Sequence, residues 1–371
     1  MDGMDVTILD SNFNIVGIVD DYQSLIWTER YNKAGDFEIA GDLNSTLAQY
    51  CKIGYYARIN KSDTVMVIEG IDGQEKIRSE NKLIVKGRSI ESILDRRIVW
   101  GFVTLSGNVQ DVIKQLLTDN VISPSRTERA IPNFIFQTND DANIANCNLS
   151  SIQFDGDNIY DTVCALCQSF NLGFRIRLLG NIFVFYLYSG TDRSCNQTDN
   201  PYVIFSEDYD NIIESRYSAD KTPYKNVALV NGEALEQPSG GGDDHNKFRV
   251  IAGDEMVSGL NRFETCIDSG LSSTDAQTGE QLSTEEYTQQ VIQKGNEELA
   301  KLQINQILDG KIVEDYFVYG RDYWMGDLLQ YKGIYNISSP VRITEFIRCL
   351  DTSGYKEYPS YILTEGGNNN G

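Results

Sequence analysis

The chain contains a single histidine, His245, close to Gly240-Gly241-Gly242-Asp243-Asp244. One histidine excludes any two-histidine metal motif and disfavours zinc peptidases. A Ser/His or Cys/His hydrolase would have to carry its only base in a Gly/Asp-rich loop, where a catalytic group loses its positioning. The three glycines make no phosphate cradle, because no Lys-Ser/Thr and no helix start follows them. Cys164-x-x-Cys167 has the spacing of half a zinc or redox site, but no second such pair exists. Both cysteines fall on the apolar face of a helical pattern, so they read as core residues. Asp10-x-Asn12-x-Asn14, with Asp21 at the twelfth position, has the start of a calcium loop. Its sixth position is Ile15 where that loop requires Gly, and its flanks are strand-like, so a hairpin turn is the reading. Asp140-Asp141 and Asp243-Asp244 are carboxylate pairs, which in so acidic a chain read as solvated faces rather than acid–base catalysts. These residues define no active site, and the expectation is a chain that is not an enzyme and has no cofactor and no metal.

Net charge sharpens that reading. The chain has 371 residues with 32 Lys and Arg against 54 Asp and Glu, a net charge of -22. Most of its surface repels a phosphate backbone, so sequence-specific nucleic-acid binding is disfavoured. No apolar run of about 18 residues occurs, so no membrane span is expected. The acidic start lacks the basic and apolar regions of a signal peptide. Seven scattered cysteines suit free thiols in a reducing compartment better than a disulfide framework. The 21 tyrosines and 15 phenylalanines suit sheet faces and partly wet interfaces.

The elements that would position any site are mostly strands. Asp5–Leu9 and Ile15–Val19 form a hairpin, followed by strands at Leu25–Tyr31, Gly35–Ile39, Tyr55–Asn60, Thr64–Asp72 and Lys82–Arg88. A short helix opens at Ser89–Leu94. Helical spacing follows over Asn108–Thr118, with Val109, Val112, Ile113, Leu116 and Leu117 on one face, and again over Asn158–Phe170. Asp119–Ser150 reads as polar and irregular. Gly173–Leu179 and Ile182–Ser189 flank the turn pair Gly180-Asn181. Strands return at Tyr202–Phe205, Ile212–Ala219 and Lys225–Asn231, and a loop spans Pro238–Asn246. Ser283 with Glu286 has capping-box spacing and begins a long helix. Strands at Ile304–Glu314, Phe317–Gly320, Leu328–Tyr331 and Val341–Leu350 complete the pattern.

The fold class expected is β-rich α+β, with two β-barrel-like domains, an α/β insert and a helix-bearing excursion. The boundaries are residues 1–107 for the first barrel and 108–200 for the insert. The second barrel takes 201–237 and 304–364, the excursion 238–303, and 365–371 is a disordered tail.

Three segments resemble the siphovirus tail-tip hub family, the Tal-like tail proteins related to the baseplate hub of contractile phage tails. Trp27-Thr28-Glu29-Arg30-Tyr31-Asn32-Lys33-Ala34-Gly35-Asp36-Phe37-Glu38-Ile39 is similar to the family's early strand–turn–strand, carried by Trp27, Arg30, Gly35 and Phe37. Leu83–Ser89, with Gly87, running into Ile93-Leu94-Asp95-Arg96-Arg97 resembles its strand passing into a short helix. Tyr323-Trp324-Met325-Gly326-Asp327-Leu328-Leu329, followed by Arg342-Ile343-Thr344-Glu345, resembles its late Gly-Asp strand and returning strand. Tyr323, Gly326, Asp327, Arg342 and Glu345 carry that likeness. Met325 stands where Leu is usual and keeps the volume.

The resemblance implies a homotrimer whose paired barrels form a pseudo-sixfold ring capping a sixfold tail tube. It implies a virion tail-tip location after assembly in the host cytoplasm. The implied partners are a distal tail ring or tube protein, a tape-measure protein, and receptor-binding or fibre proteins, with the ring gating the channel for genome delivery. An acidic channel wall would let DNA pass without sticking. Larger members carry a fibre or peptidoglycan-cleaving extension, which is not expected after residue 364. The competing readings are a β-rich carbohydrate-binding adhesin and a cell-wall-degrading tail enzyme.

Overall fold

The computed structural model describes residues 4–75, 81–235, 248–275, 279–312 and 316–363. The N-terminal strands are β1 (Val6–Leu9), β2 (Ile15–Val19), β3 (Ser24–Arg30), β4 (Asp36–Gly41), β5 (Tyr56–Ile59), β6 (Val65–Gln74) and β7 (Lys82–Ser89), with helix α1 (Thr46–Tyr50) between β4 and β5. The insert contains β8 (Phe102–Asn108), α2 (Val109–Leu117), β9 (Phe134–Gln137), α3 (Ala142–Ala145), β10 (Asn148–Asp155), α4 (Ile159–Ser169), β11 (Gly173–Leu179) and β12 (Ile182–Tyr188). Then come β13 (Ile204–Ser206), β14 (Ile212–Asp220), β15 (Val227–Gly232), β16 (Phe248–Gly253), β17 (Glu264–Asp268) and α5 (Thr284–Lys301). The last strands are β18 (Asn305–Ile312), β19 (Leu328–Gly333), β20 (Ile337–Asp351) and β21 (Gly354–Leu363).

The β-rich α+β class is what the molecule has. Its main element is a 13-stranded sheet in the order β14-β18-β21-β20-β3-β4-β7-β6-β5-β1-β2, with β13 and β19 attached beside β20. The described strands thus trace one open path through both strand-rich regions rather than two closed rings. Antiparallel β3–β20 pairing, Arg30 opposite Glu345 through Leu25 opposite Leu350, is the seam.

Local sequence explains the insert. Asn108 caps α2 by accepting from the Gln110 N–H at 3.0 Å, and its amide donates to the Ile144 and Cys147 carbonyls. Val109, Val112, Ile113, Leu116 and Leu117 are all buried. Each is worth about 1.5–3 kcal/mol relative to an exposed side chain, so this stripe holds the helix more than propensity does. Asn158 caps α4 through the Tyr160 and Asp161 N–H groups. Gly180, at φ 65°, turns β11 into β12 through a two-residue loop; Asn181 keeps a negative φ, so only the glycine needs the left-handed region. The short helix after Ser89 is a 3-10 helix, Ile90–Arg96.

Several expectations are corrected. The stretch Asp119–Ser150 holds strand β9 and helix α3, and β10 begins at its end. The four-residue β9 pairs in parallel with β12, and β10 pairs with β8. Strand β8 therefore pairs within the insert, whereas the expected boundary places residues 102–107 in the first barrel. Strand β15 pairs with β16 and β17 instead of joining the large sheet, so it goes with the excursion, which is a three-stranded sheet covered by α5. Phe317–Gly320 is a turn: the Val318 carbonyl accepts from Arg321 and Asp322, and Gly320 sits at φ 82°. The loop Pro238–Asn246, including His245, Asp243 and Asp244, lies outside the described residues, as does the tail 365–371.

The excursion docks on the insert through a polar seam. Gln153 donates to Gln290 at 2.5 Å, Gln290 donates to Ser151 at 3.0 Å, and the Ser272 N–H donates to Gln153 at 3.2 Å. The capping box at Ser283 and Glu286 starts α5 against this seam. Replacing Ser283 by Ala removes the cap and is expected to cost about 1 kcal/mol. Hydrogen exchange should show reduced protection confined to the first turns of α5.

Candidate functional site

Strand β20 is the element on which the site is built. Its first half pairs with β19, its second half with β3, and β21 runs along its other edge. The switch falls at a register irregularity between Ile343 and Glu345. There the Thr344 carbonyl accepts from the Tyr31 N–H at 2.9 Å. The Gly326 N–H donates to the Ile343 carbonyl at 2.9 Å, and the Ile343 N–H donates to Asp327 at 3.0 Å. A bulge re-aims a strand at the cost of one unpaired position. Here it lets one strand serve two sheet regions.

The segments singled out in the sequence converge on this switch. Arg30 donates to Glu345 at 2.6 Å and to Asp36 at 2.6 Å, and also reaches the Ala34 carbonyl at 3.2 Å. Arg342 donates to the Gly326 carbonyl at 2.8 Å and lies 5.8 Å from the Tyr31 ring. Asp327, almost fully buried, accepts from Thr191 at 2.7 Å, Arg193 at 2.8 Å and the Trp324 N–H at 3.0 Å. Gly326 takes φ 90°, and a Cβ there would sit 2.2 Å from the Tyr31 ring. The Tyr31 hydroxyl donates to the Asn171 carbonyl of the insert at 2.8 Å.

The remaining residues of the group lie farther from the switch. Trp27 and Phe37 are buried cross-strand partners with ring centroids 5.7 Å apart. The Gly35 N–H donates to Ser89 Oγ at 2.8 Å, fastening the turn before β4 to the end of β7. Gly87 lies opposite Ile68, next to the bulge in β6; a Cβ there would meet the Val67 carbonyl oxygen at 1.8 Å. Tyr323 is fully buried, edge-on to Phe205 at 5.7 Å. Arg30 does not share a face with Trp27 and Tyr31: the two-residue period puts Trp27, Glu29 and Tyr31 together and turns Arg30 to the other side.

That period exposes the residue sequence reasoning missed. Glu29 stands among aromatics, yet it is a carboxylate, 5 % exposed. It is ion-paired with Arg348 of β20 and with Arg175 of β11 at 3.0 Å. Ser62 donates to it at 2.7 Å, and Arg175 also donates to Thr64 at 2.7 Å. Arg348 lies over the rings of Phe346 at 4.7 Å and Tyr319 at 5.5 Å, and those two rings stack at 3.9 Å. Burial acts to raise the Glu29 carboxyl, but Arg175, Arg348 and the Ser62 hydroxyl outweigh it and hold it at about 2. One side chain thus joins the N-terminal strands, the insert and the C-terminal strands. Its geometry suits fixation, with donors already assigned to both carboxylate oxygens and no vacant acceptor aimed at a cavity.

The groups with chemical potential take structural places. Burial pushes the Cys164 thiol up to about 12 and Cys167 well above its ordinary value, so neither is a thiolate nucleophile. Asp10 accepts from the Asn12 and Asn14 N–H groups in the β1–β2 turn, and Asp21 accepts from the Thr46 N–H at the start of α1. Asp141 caps α3 and accepts from Ser189. Among the described residues, no group of three or more His, Cys, Asp or Glu is placed to hold a metal ion. Among them too, no helix is long and apolar enough to cross a membrane.

Residues 5–357 match the family described as Siphovirus ReqiPepy6 Gp37-like protein. Comparison with curated proteins finds no match. Among solved structures, the tail protein from Neisseria meningitidis MC58 aligns with a TM-score of 0.56 at 11% identity, covering 98% of this chain and 97% of that one. The prophage MuSo2 43 kDa tail protein from Shewanella oneidensis aligns with a TM-score of 0.57 at 10% identity, covering 97% and 98%. Prophage tail protein gp18 from Listeria monocytogenes EGD-e gives 0.52 at 13%, covering 98% and 95%. At such identities these likenesses establish a shared fold over the whole chain.

Glu29→Gln leaves Arg175 without its ion-pair partner and Arg348 with only the more distant Glu357 at 3.6 Å, and is expected to cost about 3–5 kcal/mol of stability at pH 7. The sign with pH follows from the depressed carboxyl. Its stabilisation is full above the ordinary value of 4.5 and is lost as pH falls through about 2. Urea unfolding of both proteins should therefore show their difference shrinking across that window. A constant difference would remove Glu29 as the origin of the acid sensitivity.

Proposed function

The chain belongs to the siphovirus ReqiPepy6 Gp37-like family of phage tail proteins, and from that premise we propose that it is the hub of the tail tip. In this reading it forms a trimeric ring that caps the tail tube. It joins the distal tail ring or tube protein to receptor-binding or fibre proteins, meets the end of the tape-measure protein, and gates the channel for genome delivery. Catalysis has no part in this role; the work is done by shape, sheet continuity and contact.

The observation that carries the reading is the continuous sheet with its two open edges. The seam at β3 and β20, fixed by Glu29, makes both strand regions one rigid body. Strand β2 ends the path, pairs only with β1 among the described residues, and leaves Ile15, Val16 and Ile18 exposed. Helix α1 lays the Tyr50 ring on one face of β2 at Gly17, but a β-branched edge strand without Lys or Pro still offers its unpaired backbone as a template for another strand. At the opposite end β14 presents its own edge. Head-to-tail addition of β2 on one copy to β14 on the next is a heterologous contact, and such contacts close into rings when the rotation permits.

Purified protein is expected to sediment as a trimer and to show a threefold ring by electron microscopy. Adding two lysines to the edge, Val16→Lys with Ile18→Lys, should give monomers whose unfolding midpoint shifts little, because exposed substitutions stay within about 0.5 kcal/mol. A wild-type protein that remains monomeric at micromolar concentration would defeat the ring.

A further inference from the structure

An arginine cluster on this acidic chain has no carboxylate partner. Arg97, Arg126 and Arg129 gather at the segment Ile98-Val99-Trp100, and among the described residues none of them forms an ion pair. Arginines that bind parts of the fold together, such as Arg30, Arg88, Arg175, Arg193 and Arg348, meet carboxylates, while Arg177, Arg249 and Arg342 each meet a ring or a neutral acceptor singly. What sets the Trp100 region apart is that several unpaired guanidiniums gather at one place.

The cluster is built rather than scattered. Trp100 is 55% exposed, and the guanidiniums of Arg129 and Arg126 lie 4.7 and 5.3 Å from its ring centroid. Arg129 is held by the Ile98 carbonyl at 2.7 Å, and Arg97 donates to the Arg129 carbonyl at 2.5 Å. The Trp100 N–H donates to Asn120 at 2.9 Å, a buried side chain that also donates to the Leu116 carbonyl. Residues Thr118–Ile122 form a π-helical turn that aims Asn120 at this spot. Beside Trp100 opens a cavity of about 360 Å³ whose lining includes Phe102, Leu105 and Leu116. Burial and then repulsion from Arg97 and Arg126 lower the Arg129 pKa, with Glu128 acting the other way. The arrangement thus holds like charges together that an anion would relieve.

We propose that Trp100 and the arginines around it form a docking site for a carboxylate-rich segment of a partner protein. Tryptophan and arginine are the residue types most enriched where interfaces concentrate binding energy. Planar guanidiniums match carboxylates in bidentate fashion. A long phosphate polymer fits less well. The basic island is bordered by Glu128 and by Asp119 on the cavity rim, and the chain as a whole carries a net -22. A polymer reaching beyond the island would meet repulsion that screening over about 8 Å does not remove at close range. A short acidic segment can end within the island. This site goes beyond the hub reading and stands whether or not the ring forms.

The test uses the full chain and fluorescent octaglutamate, with anisotropy read at low ionic strength, where the Debye length is about 30 Å at 0.01 M. Octaglutamate is expected to bind, to weaken about tenfold or more with Arg126→Glu, and to weaken with Trp100→Leu. Arg126 is exposed, so its variant should unfold at the wild-type midpoint. Failure of wild-type protein to bind octaglutamate, or equal binding by the Arg126→Glu variant, overturns the proposal. Tighter binding of a ten-nucleotide thymidine oligomer makes the site a nucleic-acid contact and overturns it too. Self-association that Arg126→Glu abolishes would assign the surface to a second copy of this chain, again against the proposal.

Discussion

The Glu29 carboxylate is the constraint on which the architecture turns. A charge buried among Trp27, Tyr31 and Phe346 is costly unless it is paired and hydrogen-bonded. Its partners arrive from three directions: Arg348 on the returning strand, Arg175 on the insert hairpin, and Ser62 in the turn before β6. Displacing any of these elements leaves a buried charge unmatched. The ion pairs therefore act less as a source of net stability than as a specification of how the parts meet. Apolar side chains of similar volume could fill the same space, but they would tolerate sliding of β20 along β3 that a fixed set of donors does not.

A second lock works beside the first by shape. Tyr31 passes from the end of β3 into the space between Gly173 and Gly326, where a Cβ on either glycine would collide with its ring. Its backbone N–H is held by Thr344 and its hydroxyl by Asn171. Asp327 then ties Thr191 and Arg193, just past the insert hairpin, to the start of β19. Charge fixes the register at Glu29, and close packing fixes the approach at Tyr31. Together they explain how one 13-stranded sheet can pass through regions more than 300 residues apart in sequence, as Arg348 and Glu29 are.

Much of this frame was legible in the sequence because its signals are local. The α2 stripe, the helical spacing over Asn158–Phe170, the Gly180 turn and the Ser283–Glu286 capping box are each patterns of near neighbours in the chain. Gly326, Asp327, Arg342 and Glu345 were visible as segments, and the structure brings them to one switch. Strand β9 escaped notice because four residues carry too little alternation. Strands β16 and β17 escaped because Glu264-Thr265-Cys266-Ile267-Asp268 and its neighbour bury so few side chains that no apolar face stands out. Glu29 was hidden differently. In a chain with 54 acidic residues a lone glutamate reads as solvated. The usable clue was its parity with Trp27 and Tyr31, which places a carboxylate on the aromatic side of a strand and demands a cation from elsewhere.

The distribution of charge also separates what is internal to the molecule from what faces outward. Arginines that organise the fold are consumed by carboxylates: Arg30 by Asp36 and Glu345, Arg193 by Asp327, Arg348 by Glu29. Acidic residues outnumber basic ones, so a group of arginines with no carboxylate paired to them among the described residues stands out, although single arginines such as Arg342 also rest on neutral acceptors. The group around Trp100 is of this kind, and its members are held in place by neutral acceptors, the Asn120 amide and the Ile98 and Arg129 carbonyls. Neutral acceptors orient a guanidinium without discharging it. A sheet whose Arg30, Arg193 and Arg348 are spent on carboxylates, beside a surface where several guanidiniums gather without one, separates the charges that hold the fold from those left to act outside it.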